Sequence, residues 1–247
     1  FFMKLICSRD LLSEAVFAAG RAVAVKSTNP AMEGILLTAE NDLLKITGYN
    51  SEIGIEAVIE ADISQEGRIV VNAKIFSDII RKISSAPVNI SCDDKLSINI
   101  KCGFADFKIT GITADDYPSL PEADTEKFFK LPQPLLKNML RQTLYALSQS
   151  ETKPILTGAL FEIEGALIKI VAVDGYRLAI REEIVDTGVS DSFKFIVPGK
   201  ALNEILKLLS DNEESFIYIS ISRKQIIFKM DGITLISRLI EGEYIDY

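Results

Sequence analysis

The side chains that could perform chemistry in this 247-residue chain are carboxylates, lysines and cysteines, because the sequence contains no histidine. Without histidine, nucleophile systems that pair serine or cysteine with an imidazole base are excluded, and the commonest metal ligand is missing. Cys7, Cys92 and Cys102 show no metal-ligand spacing and leave an odd count, which favours buried and unpaired thiols. The sequence therefore predicts neither a metal site nor a cofactor.

Adjacent carboxylates occur at Asp93 and Asp94 and again at Asp115 and Asp116, and carboxylates can act in general acid–base hydrolysis. Neighbouring residues of a strand point to opposite faces, so adjacent aspartates are more typical of turns than of a convergent catalytic pair. A carboxylate-dependent hydrolase is thus a minor alternative, and no catalytic residue is predicted.

The stretch VAVDGYRLAIR, residues 171–181, places an Asp-Gly pair between two apolar runs, which predicts a tight turn between antiparallel strands. Tyr176, Arg177 and Leu178 follow the turn. An aromatic, a cation and an aliphatic side by side could form a binding surface, where Arg177 would meet an acid or a carbonyl and the glycine would let a ligand approach the backbone. The alternative is a plain hairpin whose apolar residues belong to the core and whose arginine is solvated.

The elements that must position these residues occur twice, because the sequence matches itself at an offset of about 124 residues. Residues 11–55 lie over residues 135–179 without a gap, which superposes Pro30 on Pro154, Gly34 on Gly158 and Asn50 on Asp174. Chance similarity of apolar runs is the alternative, but a Pro, a Gly and a turn residue held in register favour duplication. The repeat predicts two domains, 3–121 and 128–247, joined by the acidic segment PEADTEK.

Each copy combines helical and strand periodicity. Apolar residues recur at helical spacing in 134–148 and 199–210, whereas 95–101, 166–173 and 215–222 alternate with period two and are rich in β-branched residues. The pattern predicts an α+β fold made of tandem copies of a domain in which two amphipathic helices lie on antiparallel sheet.

The net charge of −8 argues against a nucleic-acid partner until the cations are mapped. The predicted helices carry far more cations than acidic residues, and the cations form equivalent stripes in the two copies. The acidic residues are Asp78 and Glu204, and the cations are Lys74, Arg81, Lys82, Lys137, Arg141, Lys200 and Lys207. Solvated helix faces are one reading of such stripes. A duplicated basic surface would also suit the phosphate backbone of duplex DNA, bound without base readout.

No apolar run approaches the roughly 20 residues that span a bilayer, and the chain shows no secretory signal. We therefore expect a cytoplasmic protein with no membrane partner.

Seven motifs in order resemble one family, and they cover essentially the whole chain from Met3: MKLICSRDLL, NPAMEGILL, VNAKIFSDIIRKI, DDYPSLP, KPILTGALFE, VAVDGYRLA and EGEYIDY. They are similar to the bacterial sliding clamp, the β subunit of DNA polymerase III. The resemblance implies the DNA clamp fold, with three repeats per chain and two chains joined head to tail in a ring around duplex DNA. Such a clamp performs no chemistry and tethers a polymerase.

The resemblance also implies site residues. Lysines and arginines of the helix stripes would face DNA, together with Lys26, Gln149 and Ser150 in loops. A hydrophobic pocket that receives a short peptide of a polymerase subunit or the clamp loader would be lined by Leu156, Val173, Gly175, Tyr176, Arg177, Leu178 and Ile245. This chain has Tyr176 where many relatives have His, and Ile245 where Pro is common.

The chain stops at Tyr247, where the resemblance places the start of a third repeat. In the family a first domain pairs with the third domain of the partner chain, and the first-domain side would comprise Ile75, Ile79, Phe104, Phe107 and Ile109. We therefore expect a homodimer for the full-length protein and no closed ring for this chain. A protein-interaction scaffold with no role on DNA is the remaining alternative.

Overall fold

The computed structural model describes residues 3–121, 127–189 and 192–247. These residues divide into two units, the first reaching to Leu120 and including Gly232–Thr234, and the second holding Pro121–Asp231 and Leu235–Tyr247. Most of the predicted linker, residues 122–126, lies outside the described residues, so the exact domain boundary stays a prediction.

The first unit follows the order strand, helix, four strands, helix, three strands. Its helices are α1 (Arg9–Gly20) and α2 (Ala73–Lys82), and its strands are β1 (Met3–Cys7), β2 (Gly34–Glu40), β3 (Leu43–Tyr49), β4 (Ile53–Gln65), β5 (Gly67–Asn72), β6 (Val88–Cys92), β7 (Ser97–Cys102) and β8 (Ala105–Thr110).

All of the ladders within this unit are antiparallel. One sheet has the order β5-β2-β3-β4, and a second has the order β4-β1-β6-β7-β8. The long strand β4 joins them, since its first part pairs with β3 and Ala61–Gln65 pairs with β1. Strand β8 therefore lies at an edge of its sheet in the described part of the chain.

The second unit repeats this order. Its helices are α3 (Gln133–Thr143) and α4 (Gly199–Leu208), and its strands are β9 (Lys127–Pro132), β10 (Gly158–Glu164), β11 (Leu167–Val173), β12 (Leu178–Ile184), β13 (Ser192–Pro198), β14 (Phe216–Ile221), β15 (Gln225–Met230) and β16 (Ile233–Arg238), most of which belongs to this unit. One sheet has the antiparallel order β12-β11-β10-β13, and β9-β14-β15 belong to another. The predicted fold class is confirmed.

The residues that hold register in the sequence repeat occupy equivalent places in both units. Pro30 and Pro154 begin short 3₁₀ helices, which lead into β2 and β10. The glycine that opens each strand packs tightly against the neighbouring strand: a Cβ on Gly34 would lie 2.7 Å from the Val71 carbonyl oxygen, and one on Gly158 would lie 2.8 Å from that of Val197. Only glycine allows this close approach, which explains why it recurs.

Local sequence sets the helix ends. The Asn72 side chain accepts a hydrogen bond from the Ile75 amide at 3.0 Å and so caps α2, while Pro134 occupies the first turn of α3, where a missing N–H costs little. Helix α3 ends earlier than the periodicity predicts. The Thr143 hydroxyl donates to the Met139 carbonyl at 2.9 Å, and a 3₁₀ turn replaces the helix from Leu144.

The helices pack their apolar faces on the sheets. In the first unit Leu12, Val16, Phe76 and Ile80 are buried with the inward side chains of both sheets. In the second unit Leu136, Met139, Leu140, Leu202 and Ile205 are buried, and four phenylalanines, Phe129, Phe161, Phe193 and Phe195, make ring contacts. The opposite helix faces carry exposed cations, with the exception of Lys137, whose side chain is only 12% exposed.

Candidate functional site

The turn between β11 and β12 is built around Asp174. Its Oδ1 accepts hydrogen bonds from the amides of Tyr176 and Arg177, both at 2.9 Å, and its Oδ2 accepts two from the Arg177 guanidinium at 3.0 and 2.7 Å. The Tyr176 amide, the Arg177 guanidinium and the Arg177 amide together lower the Asp174 pKa from 3.8 to about 2. The carboxylate thus stays charged across the physiological pH range and fixes the turn.

The first unit has the same turn without the arginine. Asn50 accepts hydrogen bonds from the amides of Glu52 and Ile53 at 3.0 and 2.8 Å, and the left-handed position is occupied by Ser51. In the second unit Gly175 takes that position with a φ of 93°, and an added Cβ would meet only open space there. Hence the side-chain-stabilised turn belongs to the repeated fold, whereas the triplet after it belongs to the second unit alone.

The turn presents the triplet to solvent. The Tyr176 side chain is 99% exposed, and Leu178, the first residue of β12, is 46% exposed although it is paired with the buried Val173 of β11. The Arg177 guanidinium is held in place by Asp174, so two of its nitrogens already have an acidic partner. The turn therefore offers aromatic and aliphatic area beside a fixed positive charge.

The other predicted pocket residues lie on neighbouring segments of the same unit. Leu156 is buried in the 3₁₀ helix before β10, and Ile245, 40% exposed, lies near the end of the segment Leu239–Tyr247, which we call the terminal segment. Gly242 of this segment lies beside Ile155, and the Tyr244 hydroxyl donates to the Val171 carbonyl of β11. The 3₁₀ helix, β11 and the terminal segment therefore converge in one region.

A groove of about 540 Å³ runs along the terminal segment in this unit. Of the residues predicted to line the peptide pocket, Ile245 lines this groove in the described part of the chain. The sheet contributes Leu160, Glu162, Lys194 and Ile196 to the groove. The turn residues 173–178 are not among the residues that line this groove. The sequence did not predict the groove, because its sheet residues are scattered over two strands.

Cations of the first unit lie on and near α2. Lys74, Arg81 and Lys82 are exposed, and so is Lys26 in the loop after α1. Arg81 also contacts Asp78 one turn earlier at 2.9 Å, but its side chain remains 73% exposed. Such a pair in water contributes little and leaves the guanidinium available to another anion.

Cations of the second unit differ in exposure. Arg141 and Lys200 are exposed, and Lys207 contacts Glu204 at 2.9 Å while remaining about half exposed. Lys137 is different, since its side chain is only 12% exposed and its ammonium contacts Asp211 at 2.6 Å. The Lys137 hydrogen bond is the main reason that the Asp211 pKa is lowered. The sequence does not predict this pair, because Asp211 lies in the loop after α4 and outside the predicted helices.

The two predicted loop residues of this unit, Gln149 and Ser150, are exposed beyond α3. The Ser150 hydroxyl lies 2.9 Å from that of Thr152, and its amide donates to the Ser148 hydroxyl at 3.1 Å. These local bonds order the loop.

The predicted interface residues of the first unit divide by exposure. Phe104, in the β7–β8 turn, is fully exposed, and Ile75 and Phe107 are 50% and 38% exposed. Ile79 and Ile109 are partly buried against the core of the unit. The edge strand β8 thus presents unpaired backbone groups beside exposed aromatic side chains, an arrangement suited to pairing with another strand.

Of the four carboxylates considered for hydrolysis, Asp93 and Asp115 make hydrogen bonds within turns. Asp93 accepts hydrogen bonds from the amides of Ser97 and Lys95 at 2.9 and 3.0 Å. These two hydrogen bonds, with the Ser97 bond the stronger cause, and the charges of Lys108 and Lys95 lower the Asp93 pKa. Asp115 accepts one from the Thr113 hydroxyl at 2.9 Å. Across the described residues, no three His, Cys, Asp or Glu side chains are grouped as metal ligands, and no helix is long and apolar enough to cross a membrane. All three cysteines are buried and unpaired.

Comparison with known proteins places these features in context. Residues 3–121 match the family model described as the DNA polymerase III beta subunit, N-terminal domain, and residues 130–246 match that of its central domain. The chain is 38% identical over 252 residues to the beta sliding clamp of Bacillus subtilis and 36% identical over 253 residues to that of Halalkalibacterium halodurans. These matches cover 99% and 98% of the chain and 66% of each relative.

Solved structures agree with this similarity. The crystal structure of the Bacillus subtilis DNA polymerase sliding clamp matches with a TM-score of 0.94 at 37% identity, over 100% of this chain and 67% of that one. The chain therefore spans about two thirds of the length of the relatives that it matches.

Proposed function

Since the chain belongs to the DNA polymerase III β-subunit family, the bacterial sliding clamps, we propose that it supplies two clamp domains, about 3–121 and 128–247, that act around duplex DNA. In this proposal the cationic helix faces contact the phosphate backbone, and the second domain binds peptides of a polymerase subunit or the clamp loader. The protein acts as a processivity factor that tethers these partners, with no catalytic site of its own.

The observation that carries the proposal is the segregation of charge within a duplicated fold. In each unit the helix face opposite the core carries exposed cations, although the whole chain has a net charge of −8. Contacts of this kind bind the phosphate backbone of any sequence and lose affinity as salt rises. The first unit would add a head-to-tail contact through the edge strand β8 and Phe104, with the homodimer formed by the full-length protein.

Salt-dependent binding to a duplex tests the DNA contact. Each phosphate contact adds roughly 0.9 to the slope of log affinity against log salt, so we expect Arg141→Ala to reduce the magnitude of that slope by about this amount. Arg223→Ala is the matched control, because Arg223 is also an exposed cation of the second unit but lies in the β14–β15 turn.

Equal slopes for both variants and the unchanged protein would refute the proposed helix contact. A protein that bound no duplex at any salt concentration while still binding the peptide would favour the interaction scaffold.

Peptide binding tests the second part of the proposal. We expect Leu178→Ala to weaken binding of a fluorescent hexapeptide with acidic and hydrophobic side chains by about five- to thirtyfold, as for a central contact residue. The thermal midpoint should change little, because Leu178 is half exposed.

Ile184→Ala is the control variant. Ile184 lies on the same face of β12 and is 84% exposed, but it is six residues from Leu178, about 20 Å along the strand. If Leu178→Ala and Ile184→Ala change the affinity equally, the pocket does not lie at the β11–β12 turn. If Leu178→Ala instead unfolds the protein, Leu178 is a core residue.

A further inference from the structure

The terminal segment, Leu239–Tyr247, is tied to the second unit at its start by backbone hydrogen bonds. The Leu239 amide donates to the Lys224 carbonyl at 2.9 Å, and the Ile240 amide donates to the Ile196 carbonyl at 3.0 Å. Ile240 and Tyr244 then pack on the outer face of the sheet, against Leu160, Val171 and Ile196. The segment thus covers an apolar patch of the sheet.

Tyr244 fills the place where the β10–β11 ladder ends. The last pair of that ladder is Leu160 with Val171, and beyond it the Tyr244 hydroxyl lies 3.3 Å from the Gly158 carbonyl oxygen and 3.4 Å from that of Val171. Burial raises the Tyr244 pKa to about 12, and a hydrogen bond from the Val173 backbone opposes that rise. The phenol therefore connects β10 and β11 where they no longer pair directly.

This position couples the terminal segment to the proposed pocket. Val173 is the last residue of β11 and leads directly into the turn that carries Tyr176, Arg177 and Leu178. On the other side of the contact, Ile245 follows Tyr244 in the chain. A single hydroxyl thus links the strand that ends at the turn with the segment that carries Ile245.

A second anchor lies beyond Ile245. The Tyr247 hydroxyl donates to Glu162 at 2.7 Å, and Glu162 also accepts a hydrogen bond from Lys194 at 2.5 Å and lies 3.7 Å from Lys169. Although burial raises the Glu162 pKa, these hydrogen bonds and lysine charges lower it overall. Ile245 is therefore held between two anchored tyrosines.

We propose that Tyr244 is a positioning residue for the peptide site: its hydroxyl fixes the terminal segment against the end of β11 and thereby sets where Ile245 stands. This inference rests on the proposed peptide-binding function. It assigns Tyr244 no contact with the peptide itself, so its effect should pass through the position of the segment.

The first unit contains the same device without a pocket residue beside it. The Tyr117 hydroxyl donates to the carbonyl of Thr47 at 3.1 Å, and Thr47 corresponds to Val171 in the repeat. The phenol oxygen of Tyr117 also receives a hydrogen bond from the Tyr49 backbone, as that of Tyr244 does from Val173. Tyr117 is followed by Pro118 and lies in the other unit. Tyr117→Phe therefore removes an equivalent hydroxyl and is a matched control for Tyr244→Phe.

The experiment compares the unchanged 247-residue protein with Tyr244→Phe and Tyr117→Phe, both of which retain the aromatic ring. The affinity for the fluorescent hexapeptide is measured, together with amide hydrogen exchange of the terminal segment. The loss of one hydrogen bond is expected to weaken peptide binding by about two- to tenfold in Tyr244→Phe and to speed exchange at residues 241–247. Tyr117→Phe is expected to leave both quantities unchanged.

The outcomes separate this inference from the function on which it rests. If the unchanged protein binds the hexapeptide and Tyr244→Phe binds it equally well, Tyr244 does not position the site, whether or not exchange becomes faster. An equal loss of affinity in Tyr117→Phe would mean that the effect is general destabilisation, and it would overturn the inference as well. If the unchanged protein binds no hexapeptide, the proposed pocket is wrong and the inference falls with it.

Discussion

Asp174 offers a test of the turn at atomic level, because its ionisation reports four hydrogen bonds. Two come from backbone amides at 2.9 Å and two from the Arg177 guanidinium at 3.0 and 2.7 Å. Together they favour the charged form and lower the pKa from 3.8 to about 2. The side chain of Asp174 is only 14% exposed, so water cannot replace these donors freely.

Removal of the guanidinium should raise the Asp174 pKa without restoring its ordinary value. In Arg177→Ala the amides at positions 176 and 177 still donate, so we expect a pKa above about 2 and below 3.8. Asn50→Asp in the first unit would create the matching carboxylate, with two amide donors at 3.0 and 2.8 Å and an isoleucine where Arg177 stands. Its pKa should resemble that of Asp174 in Arg177→Ala.

The assay is a titration of the aspartate carboxyl carbons by NMR, with Asp174→Asn used to assign the resonance. Because the folded pKa lies below the unfolded value, the stabilising contribution is fully present above about pH 4 and is lost as the pH falls towards about 2. The stability difference between the unchanged protein and Asp174→Asn should shrink over the same range. An Asp174 pKa near 4 in the unchanged protein would refute the hydrogen-bonded geometry of the turn.

Two further predictions concern the helix cations and the repeated glycines. Asp211→Asn should release Lys137 and remove a negative charge beside Arg141, so duplex affinity should rise and its log–log salt slope should steepen by up to about 0.9; a weaker affinity would contradict the pairing. Gly34→Ala should destabilise the protein by roughly 1–3 kcal/mol in urea denaturation, because its Cβ would lie 2.7 Å from the Val71 carbonyl oxygen. An unchanged denaturation midpoint would show that the strands can separate.

The sequence repeat predicted the parts of the fold that depend on backbone geometry. The prolines and glycines that align at an offset of about 124 residues occupy equivalent positions, because a residue with no side chain is needed where strands approach closely. Helix periodicity predicted α4 well, but it predicted α3 to continue through residue 148. Periodicity reports which face is apolar and does not register the competition of the Thr143 hydroxyl for backbone carbonyls.

Side-chain pairing over long sequence distances was beyond sequence reasoning. Lys137 and Asp211 are 74 residues apart, and neither residue type nor local spacing links them. The Tyr244 hydroxyl contacts β10 and β11 from a segment more than 70 residues later. At an offset of 127 residues GITADDYPSL lies over LIEGEYIDY and Tyr117 lies over Tyr244, so a tyrosine shared by the two copies is the sequence signal that could have identified both. The prediction of individual site residues stays open to the experiments above.

The two copies differ on the outer face of one sheet, and the difference bears on how a binding site can arise in a duplicated fold. Thr38 and Glu162 occupy equivalent positions of the repeat. Thr38 is paired with Arg68 on one neighbouring strand and Lys45 on the other. Glu162 is paired in the same way with Lys194 and Lys169. Thr38 offers no carboxylate, so the row of charges that holds Tyr247 exists in the second unit alone. The same unit alone carries the aromatic-Arg-Leu triplet after its turn.

The triplet and the Glu162–Tyr247 contact both lie in the second unit. They surround a turn and a tyrosine hydroxyl contact that the first unit also has. The turn carboxamide of Asn50 and the Tyr117 hydroxyl show that this framework forms without either addition. The residues that distinguish the second unit lie in the β11–β12 turn and on the outer face of the sheet, where Glu162 is buried at 6% exposure, and not among the side chains that the helices pack against. In the proposed site the triplet would supply contact area, while the Tyr247–Glu162 hydrogen bond holds the terminal segment and the Tyr244 hydroxyl ties that segment to β11.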